Sequence, residues 1–248
     1  SGTATVCHRR ASSPALAPQR EGLRRSPARD GYGGGVTITS TSGLSLRRAT
    51  DADWDDIIAT DARAFAMRNP LPDDERADLR GKVADSDIVL VRDAALDPAP
   101  LVGVSMFYRM TMTVPGGSVR NAAGLSWVSV TATHRRRGIL RTMLTELFEQ
   151  WEADGQIFAI LTASEGTIYE RFGFGPATFA HDVKITPGRA RMRASQPEGS
   201  PVHYADADEV DAAVPDLHAR WTRTTPGALG RTPAWWRPLL ADRPSERP

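Results

Sequence analysis

The sequence predicts an α+β fold in which helices flank a mixed central β-sheet. The first supporting observation is the order of local patterns from residue 44 onward: a strand, two helices, several strands, a helix, a strand, a short helix and a strand. The second is the stretch 124–151, in which a β-branched and aromatic run leads directly into an amphipathic helix. With 40% hydrophobic residues, the 248-residue chain suits one globular domain with additional segments.

The N-terminal region, residues 1–43, differs from the rest in composition. It mixes Arg, Ser, Ala, Pro and Gly, has few large apolar residues and lacks a hydrophobic period. Such a segment cannot bury enough apolar surface to fold, so we predict that it is disordered. Because no amphipathic repeat accompanies its arginines and serines, we expect a tag or an overextended translation start rather than a transit peptide.

One strand and two helices are predicted next. Residues 44–48 alternate in polarity as a half-buried strand does, and Thr50 or Asp51 can cap the helix that follows. Asn-Pro at 69–70 ends that helix, and a more polar helix is predicted over 73–84. The apolar stripe of the first helix contains Trp54, Ile57, Ile58 and Phe65.

Strands dominate the middle of the chain. Residues 88–91 are continuously apolar, which predicts a strand buried on both faces. A Pro-containing turn at 97–100 separates it from a long strand predicted over 101–114. Pro-Gly-Gly at 115–117 is typical of a hairpin connection, so the next strand is expected to begin near Val119 and to lead into the central one.

The stretch 124–151 is the centre of the prediction. Residues 125–130 form a strand, 131–133 a polar turn, and a helix is predicted from about Arg136 to a stop at Gly155. Three arginines and a glycine stand in the first turn of this helix. Its apolar residues recur at helical spacing: Leu140, Leu144, Leu147, Phe148 and Trp151.

This strand–helix junction predicts an anion-binding site. The first four amides of a helix have no partner within the helix, and the helix dipole adds positive potential there. Gly138 lacks a β-carbon, so a ligand can approach the backbone, and a bound di- or triphosphate would offset the repulsion among the arginines. The alternatives for Arg135–Arg137 are a solvated basic turn or a basic patch that contacts nucleic acid.

The C-terminal part begins with a strand predicted over 157–162, a short helix over 164–172 and a paired strand over 179–185. A Pro/Gly/Arg-rich linker follows at 187–201. Residues 202–248 then carry three tryptophans but are too few to cover their own apolar surface. They must therefore dock on the first domain or on a partner, or else the chain is truncated.

The net charge of +1 gives no general attraction to nucleic acid or membrane, and no apolar run approaches the length of a membrane span. The single cysteine, Cys7, excludes an intrachain disulfide and a cysteine metal site, and it suits a reducing compartment. We therefore expect a cytoplasmic protein with no metal and with neither a nucleic-acid nor a membrane partner.

The pattern Arg-Arg-x-Gly-x-(Leu/Ile) at this junction resembles the pyrophosphate loop of the GNAT superfamily of N-acetyltransferases. Three longer stretches, 123–130, 133–141 and 163–178, are similar to the Eis group of actinobacterial amine N-acetyltransferases within that superfamily. The resemblance covers about 44–240 and is strongest over 123–185. It implies a GNAT domain at 44–186, with 202–248 as the incomplete start of a second GNAT-like lobe, which favours truncation. It also implies a homohexamer for complete relatives.

The resemblance further implies transfer of an acetyl group from acetyl-CoA to a primary amine, either aminoglycoside-like or lysine. Tyr169 matches the tyrosine of the family that acts as general acid, since a phenol stays protonated at neutral pH. The residues expected at the cofactor are the backbone of Val128, Ser129 and Val130, the loop Arg135, Arg136, Arg137, Gly138, Ile139, Leu140 and Arg141, and the pair Ser164 and Glu165.

The base and the acceptor pocket are less well defined. Relatives use the terminal carboxylate of the complete chain, for which His181 or Glu165 could substitute through water, but the spacing selects neither. Phe65 aligns with a pocket aromatic of the family, although its helical period favours the core. Met67 stands where the resemblance implies an acidic residue, which weakens the case for a polycationic acceptor.

Two other functions compete with the acetyltransferase. The first is a catalytically inactive fragment that still binds acetyl-CoA, as a regulatory module. The second is a nucleic-acid-binding protein that uses the basic N-terminal region and Arg135–Arg137. No aromatic residues are interleaved with this arginine cluster to stack on bases, so the second is disfavoured.

Overall fold

The computed structural model describes residues 3–8, 23–25, 38–40, 43–67, 71–163, 165, 167–177, 183–186, 188, 191, 199 and 201–241. The strands are β1 (Thr3–His8), β2 (Leu23–Arg25), β3 (Ile38–Ser40), β4 (Leu44–Arg48), β5 (Ile88–Asp93), β6 (Leu101–Thr113), β7 (Val119–Val130), β8 (Phe158–Ala163) and β9 (Gly175–Pro176). The helices are α1 (Trp54–Phe65), α2 (Asp73–Arg80), α3 (Ile139–Ala153), α4 (Thr167–Glu170), α5 (Ala207–Thr224) and α6 (Pro233–Leu240).

The described strands form one mixed sheet in the order β2-β3-β4-β5-β6-β7-β8-β1-β9. All neighbouring pairs are antiparallel except β7 and β8, which are parallel. The helix α3 connects these two strands, as parallel neighbours require. The predicted α+β fold with a mixed sheet between helices is therefore confirmed.

Both faces of the sheet are covered, and β5 is continuously apolar because its side chains are buried on both faces. Ile88 and Leu90 point to a cluster that α1 and α2 cover, whereas Val89 and Val91 point to a second cluster beneath α3. The stripe predicted for α3 supplies much of this second cluster, through the buried side chains of Leu144, Leu147 and Trp151 among others. Each fully buried aliphatic side chain of this kind contributes about 1.5–3 kcal/mol of transfer free energy.

The start of α1 is fixed by a buried charge cluster around Asp53. Thr50 donates to Asp53 Oδ2 from both its backbone N–H and its hydroxyl, at 2.9 and 2.8 Å. Arg47 pairs with both carboxylate oxygens, at 2.7 and 2.5 Å, and Arg92 reaches Oδ1 at 3.0 Å. Thr50 therefore caps the short 3-10 turn Asp51–Asp53 that leads into α1, whereas the N-cap of α1 itself is Asp53, so the prediction of Thr50 or Asp51 places the cap too early. The ion pairs of Asp53 tie the start of α1 to the neighbouring strands β4 and β5.

Several predicted boundaries are wrong. The extension 1–43 is not disordered throughout, because β1, β2 and β3 lie within it and supply backbone partners to the two edges of the sheet. The helix predicted over 73–84 ends at Arg80, where Gly81 forms the cap. The strand predicted over 179–185 is absent from its described part, 183–185, and its remainder lies outside the described residues, as does most of the linker 187–201.

The C-terminal segment 201–241 docks on the domain. Thr113 of β6 exchanges backbone hydrogen bonds with the segment, donating to Ala228 at 3.0 Å and accepting from Gly227 at 2.7 Å. The Gly230 N–H donates to the Thr111 carbonyl at 2.9 Å. On α6, Arg237 pairs with the buried Asp78 at 2.6 Å. Docking, one of the alternatives that the sequence left open for this segment, is therefore observed for its described residues.

Candidate active site

The loop between β7 and α3 contains two residues with left-handed backbone conformation. Arg136 and Gly138 both have positive φ angles, +62° and +80°, so α3 begins at Ile139 and not at Arg136 as predicted. Within the described chain, the backbone N–H groups of Gly138, Ile139, Leu140 and Arg141 have no hydrogen-bond acceptor. A β-carbon at Gly138 would meet nothing within 4 Å, so the space beside this glycine is open.

The side chains of this loop divide into exposed and buried sets. Arg135, Arg136 and Arg137 are exposed. The Arg141 guanidinium lies over the ring of Phe172, 5.9 Å from its centroid. Ile139 is buried, and Leu140 packs against the core beneath the helix. The structure thus leaves the charged side chains on the outside of the helix start and the two aliphatic ones inside.

His134 anchors the loop to the end of β5. Its Nε2 lies 3.0 Å from Asp93 Oδ2, and its Nδ1 lies 2.8 Å from the Thr133 hydroxyl. Asp93 also faces the Arg137 guanidinium, at 3.7 Å. The hydrogen bond with His134 is the main reason that the pKa of Asp93 is held below its usual value. A charged Asp93 therefore positions both the loop backbone and one of its arginines.

The helix start also sits close to the sheet. A β-carbon on Gly103 of β6 would lie 2.6 Å from Ile139 Cγ2 and 3.3 Å from Met143 Sδ. Glycine at this position lets the first turn of α3 pack directly on the strand. The helix start that carries the free N–H groups is consequently packed directly on β6.

The strands β7 and β8 separate immediately beside this loop. They pair only from Ala122 to Gly124, so residues 125–130 have no partner on the β8 side. On the other side, the pairing with β6 shifts register between Ser126 and Ser129, and Trp127 within this bulge has a φ of +52°. The result is a V-shaped opening in the sheet, bordered by the backbone of β7.

This opening leads into a cavity of about 780 Å³. One wall consists of β7, β8 and Tyr169 of α4, and a second consists of the end of α1 with Tyr108 and Met110 of β6. The docked C-terminal segment closes a third side with His218, Trp221, Ala228, Leu229, Arg231, Trp235 and Leu239. Residues far apart in the chain thus meet at one site that adjoins the splayed strands.

Tyr169 lies half-buried at the edge of the cavity, where its ring packs edge-on against Phe174 at 5.8 Å. Burial and, to a smaller extent, the nearby charge of Glu165 raise the pKa of the Tyr169 phenol. The phenol is therefore protonated at neutral pH and able to donate. Glu165 itself is exposed, and Ser164 and His181 lie outside the described residues.

Residues 128–130 divide between the cavity and the core. Val128 lines the cavity, and Val130 packs against the core beneath α3. The side chain of Ser129 points to α1, where its hydroxyl donates to Asp61 Oδ1 at 2.5 Å. Asp61 also lines the cavity, and only 4% of its surface is exposed. Burial raises the pKa of Asp61, partly offset by the hydrogen bond from Ser129.

Asp61 is not among the site residues predicted from the sequence, although a signal was present. Asp61 follows Ile57 by four residues and Ile58 by three, so an acidic residue stands on the apolar stripe of α1. The core interpretation of Phe65 was wrong: 45% of Phe65 is exposed, and it lines the cavity at the end of the helix. Met67, 59% exposed, lines the cavity beside it.

No cluster of three or more potential metal ligands occurs among the described residues. Within the same residues, none of the helices combines the length and the hydropathy needed to cross a bilayer.

The chain matches the family model described as an acetyltransferase (GNAT) domain over residues 45–177. It is 36% identical over 203 residues to the N-acetyltransferase Eis of Mycobacterium tuberculosis, a match that covers 80% of this chain and 50% of that protein. An uncharacterized N-acetyltransferase of Streptomyces coelicolor is 38% identical over 199 residues, covering 79% of this chain and 47% of that protein. The chain thus spans about half the length of these curated relatives.

The structure is also similar to solved structures. The match with Eis1 from Mycobacterium abscessus has a TM-score of 0.56 at 28% identity and covers 79% of this chain and 47% of that one. A GNAT-type N-acetyltransferase from Anabaena variabilis matches with a TM-score of 0.58 at 16% identity, which shows the fold alone. It covers 82% of this chain and 49% of the other.

Proposed function

The chain belongs to the GNAT acetyltransferase family, and from that premise we propose that it transfers an acetyl group from acetyl-CoA to a primary amine, with Tyr169 as general acid. The single observation that carries the proposal is the set of backbone N–H groups from Gly138 to Arg141, which have no acceptor among the described residues and lie beside open space at Gly138 and exposed arginines. Peptide N–H groups at a helix start, together with guanidinium groups, are suited to a pyrophosphate. We assign this end of the site to the phosphates of the coenzyme.

The splayed strands supply the path for the rest of the coenzyme. A pantetheine arm carries amide groups that can pair with a strand edge as a neighbouring strand would. The β7 backbone from Leu125 to Val130 has no such neighbour on the β8 side. An arm laid along it from the loop would bring the thioester to the cavity, and the backbone of residues 128–130 would polarise the carbonyl.

Tyr169 is suited to assist departure of the sulfur. The amine nitrogen attacks the thioester carbon, a carbon–nitrogen bond forms, and the carbon–sulfur bond then breaks. The departing thiolate takes the phenolic proton of Tyr169, and the proton released by the new amide nitrogen passes through water to restore the phenol. Since the phenol lies in the cavity and its pKa is raised, Tyr169 holds its proton until the thiolate forms.

A second candidate function is binding of acetyl-CoA without transfer. The observation that favours it is the position of Glu165, one of the two residues considered as a substitute base, which is exposed and does not line the cavity. The resemblance to the family places the base at the end of the complete relatives. A chain that has the phosphate loop and Tyr169 but no effective base would bind the coenzyme and leave the amine unacetylated.

The experiment combines a calorimetric titration with acetyl-CoA and a thiol-release assay with primary amines. We expect binding, and thiol release that Tyr169→Phe slows about 100-fold with little change in acetyl-CoA affinity, because a general acid contributes roughly 10²–10⁴ to the rate. Tyr204→Phe is the matched control, since Tyr204 is fully exposed and lies outside the cavity. Binding without thiol release would select the second candidate, and absence of binding would refute both.

A further inference from the structure

We propose that Asp61 binds the ammonium group of the acceptor, and that the acceptor is an amine with a single positive charge on an aromatic or apolar body. This inference rests on the proposed acetyltransferase function and specifies the substrate class of the same cavity. It follows from one buried carboxylate and from the chemistry of the walls around it.

The hydrogen bonding of Asp61 is incomplete. Ser129 satisfies Oδ1 at 2.5 Å, but no donor among the described residues reaches Oδ2. No arginine or lysine of the described chain pairs with this carboxylate, in contrast to Asp53 and Asp78, which are also buried. A buried carboxylate without a cation is unfavourable, and the raised pKa of Asp61 reflects that cost. An ammonium group in the cavity would provide the missing charge and the missing donor.

Several aromatic side chains line the same cavity as Asp61. Phe65, Tyr108, Trp127, Trp221 and Trp235 all line the cavity. Aromatic faces attract a cation and provide large apolar contact area. A ring or an aliphatic chain attached to the ammonium group can therefore be buried against these side chains.

A second positive charge has no counterpart in the cavity. Asp61 is the one carboxylate among the described residues that line it, and the docked C-terminal segment contributes the cation Arg231. The nearby His218 has a pKa lowered by burial and by the charge of Arg231, so it is neutral at pH 7. Additional ammonium groups of a polycation would meet apolar walls or a like charge, which is unfavourable. The cavity thus selects for one charge.

The position of Asp61 also suits the proposed reaction. Its partner Ser129 belongs to the segment of β7 that we assign to the thioester, and Tyr169 lines the same cavity. An amine held at Asp61 is therefore beside the strand that presents the acetyl group. Asp61 is a binding residue in this arrangement. The ammonium group that it holds releases one proton to water before its nitrogen attacks the thioester, and the proton given to sulfur still comes from Tyr169.

The test uses the full chain with CoA bound and 2-phenylethylamine as the probe, measured by calorimetry. We expect Asp61→Asn to weaken binding of the amine at least tenfold while acetyl-CoA affinity stays within twofold of wild type. Asp55→Asn is the matched control on the same helix, because Asp55 is exposed, pairs with Arg76 and lies outside the cavity. It should leave both affinities unchanged. Equal amine affinity in wild type and Asp61→Asn would overturn the inference.

A second measurement needs only the wild-type protein, so it applies even if Asp61→Asn does not fold. The neutral analogue 2-phenylethanol should bind at least tenfold more weakly than 2-phenylethylamine, and a tetra-amine aminoglycoside should bind more weakly than either. Equal binding of the alcohol and the amine, or tighter binding of the aminoglycoside, would contradict the inference.

These outcomes separate the inference from the proposed function. Charge-dependent binding of 2-phenylethylamine without thiol release would leave Asp61 as an amine site and refute the catalytic proposal. Thiol release from amines that is the same in Asp61→Asn and wild type would keep the acetyltransferase and overturn the role of Asp61.

Discussion

Replacement of Gly138 by alanine tests the phosphate loop directly. Gly138 has a φ of +80°, in the left-handed region, where a residue with a β-carbon is less stable by about 1–2 kcal/mol. The new methyl group would occupy the open space at Gly138, at the start of the N–H groups that run from Gly138 to Arg141. Loss of one hydrogen bond to a charged phosphate is worth about 1.5–3 kcal/mol. We therefore expect the Kd for acetyl-CoA to rise roughly 10- to 100-fold.

Gly155 provides the matched control because its geometry is almost the same. It has a φ of +68°, a β-carbon there would also meet nothing within 4 Å, and it lies at the opposite end of α3. Gly155→Ala should lower the free energy of unfolding in urea by a similar 1–2 kcal/mol and leave the Kd unchanged. If calorimetry gave the same Kd for Gly138→Ala, Gly155→Ala and wild type, the pyrophosphate would have to bind elsewhere.

Two further substitutions test the fold around the site. Asp53→Asn should lower the free energy of unfolding by about 2–4 kcal/mol, because it leaves Arg47 and Arg92 without their buried partner. Burial alone would raise the pKa of Asp53, but hydrogen bonds from Arg47, Thr50 and Arg92 outweigh burial and lower it strongly. The stabilisation by Asp53 is therefore present above the unfolded pKa of about 4, and it is lost as the pH falls through the lower folded pKa. The difference in free energy of unfolding between wild type and Asp53→Asn, measured by urea denaturation, should accordingly narrow below about pH 4. A difference that stayed constant down to about pH 3 would argue against the charge cluster. Gly230→Ala should destabilise by about 1–3 kcal/mol and expose the C-terminal segment to limited proteolysis, because a methyl group would overlap the hydroxyl of Thr111. The double variant with Thr111→Ala should recover the stability. If it does not, overlap with the Thr111 hydroxyl is not the cause of the destabilisation.

The strand–loop–helix unit of the site was predictable from sequence because its determinants are local. The run 125–130, the glycine at 138 and the stripe of α3 each specify their own backbone, and the structure places them as a strand, a left-handed cap and a helix. Only the first turn of the helix was misplaced. Two positive φ angles in the loop delay the helix to Ile139, and a positive φ at a non-glycine residue such as Arg136 is uncommon, so its residue type did not indicate it.

The N-terminal strands and the C-terminal docking could not be predicted in the same way. A short segment such as Thr3–His8 has too few residues to be stable alone, and its strand depends on the free edge of β8. The contact of residues 227–230 with β6 joins parts of the chain more than 100 residues apart, and no local pattern encodes that pairing. The tryptophans of the segment indicated that it must be covered, but not by what.

The two halves of the site therefore differ in how the chain encodes them. The half assigned to the coenzyme uses backbone groups, which any sequence of suitable local shape can present, so a short pattern around Gly138 suffices to predict it. The half assigned to the acceptor uses side chains from α1, β6 and the C-terminal segment, which only the complete fold brings together. A change at Asp61 or in the docked segment can alter the amine that is accepted without disturbing the loop. Acceptor preference is accordingly free to differ among proteins that bind the same coenzyme, and in this chain we expect that preference to depend on Asp61, the one carboxylate among the described residues that line the cavity.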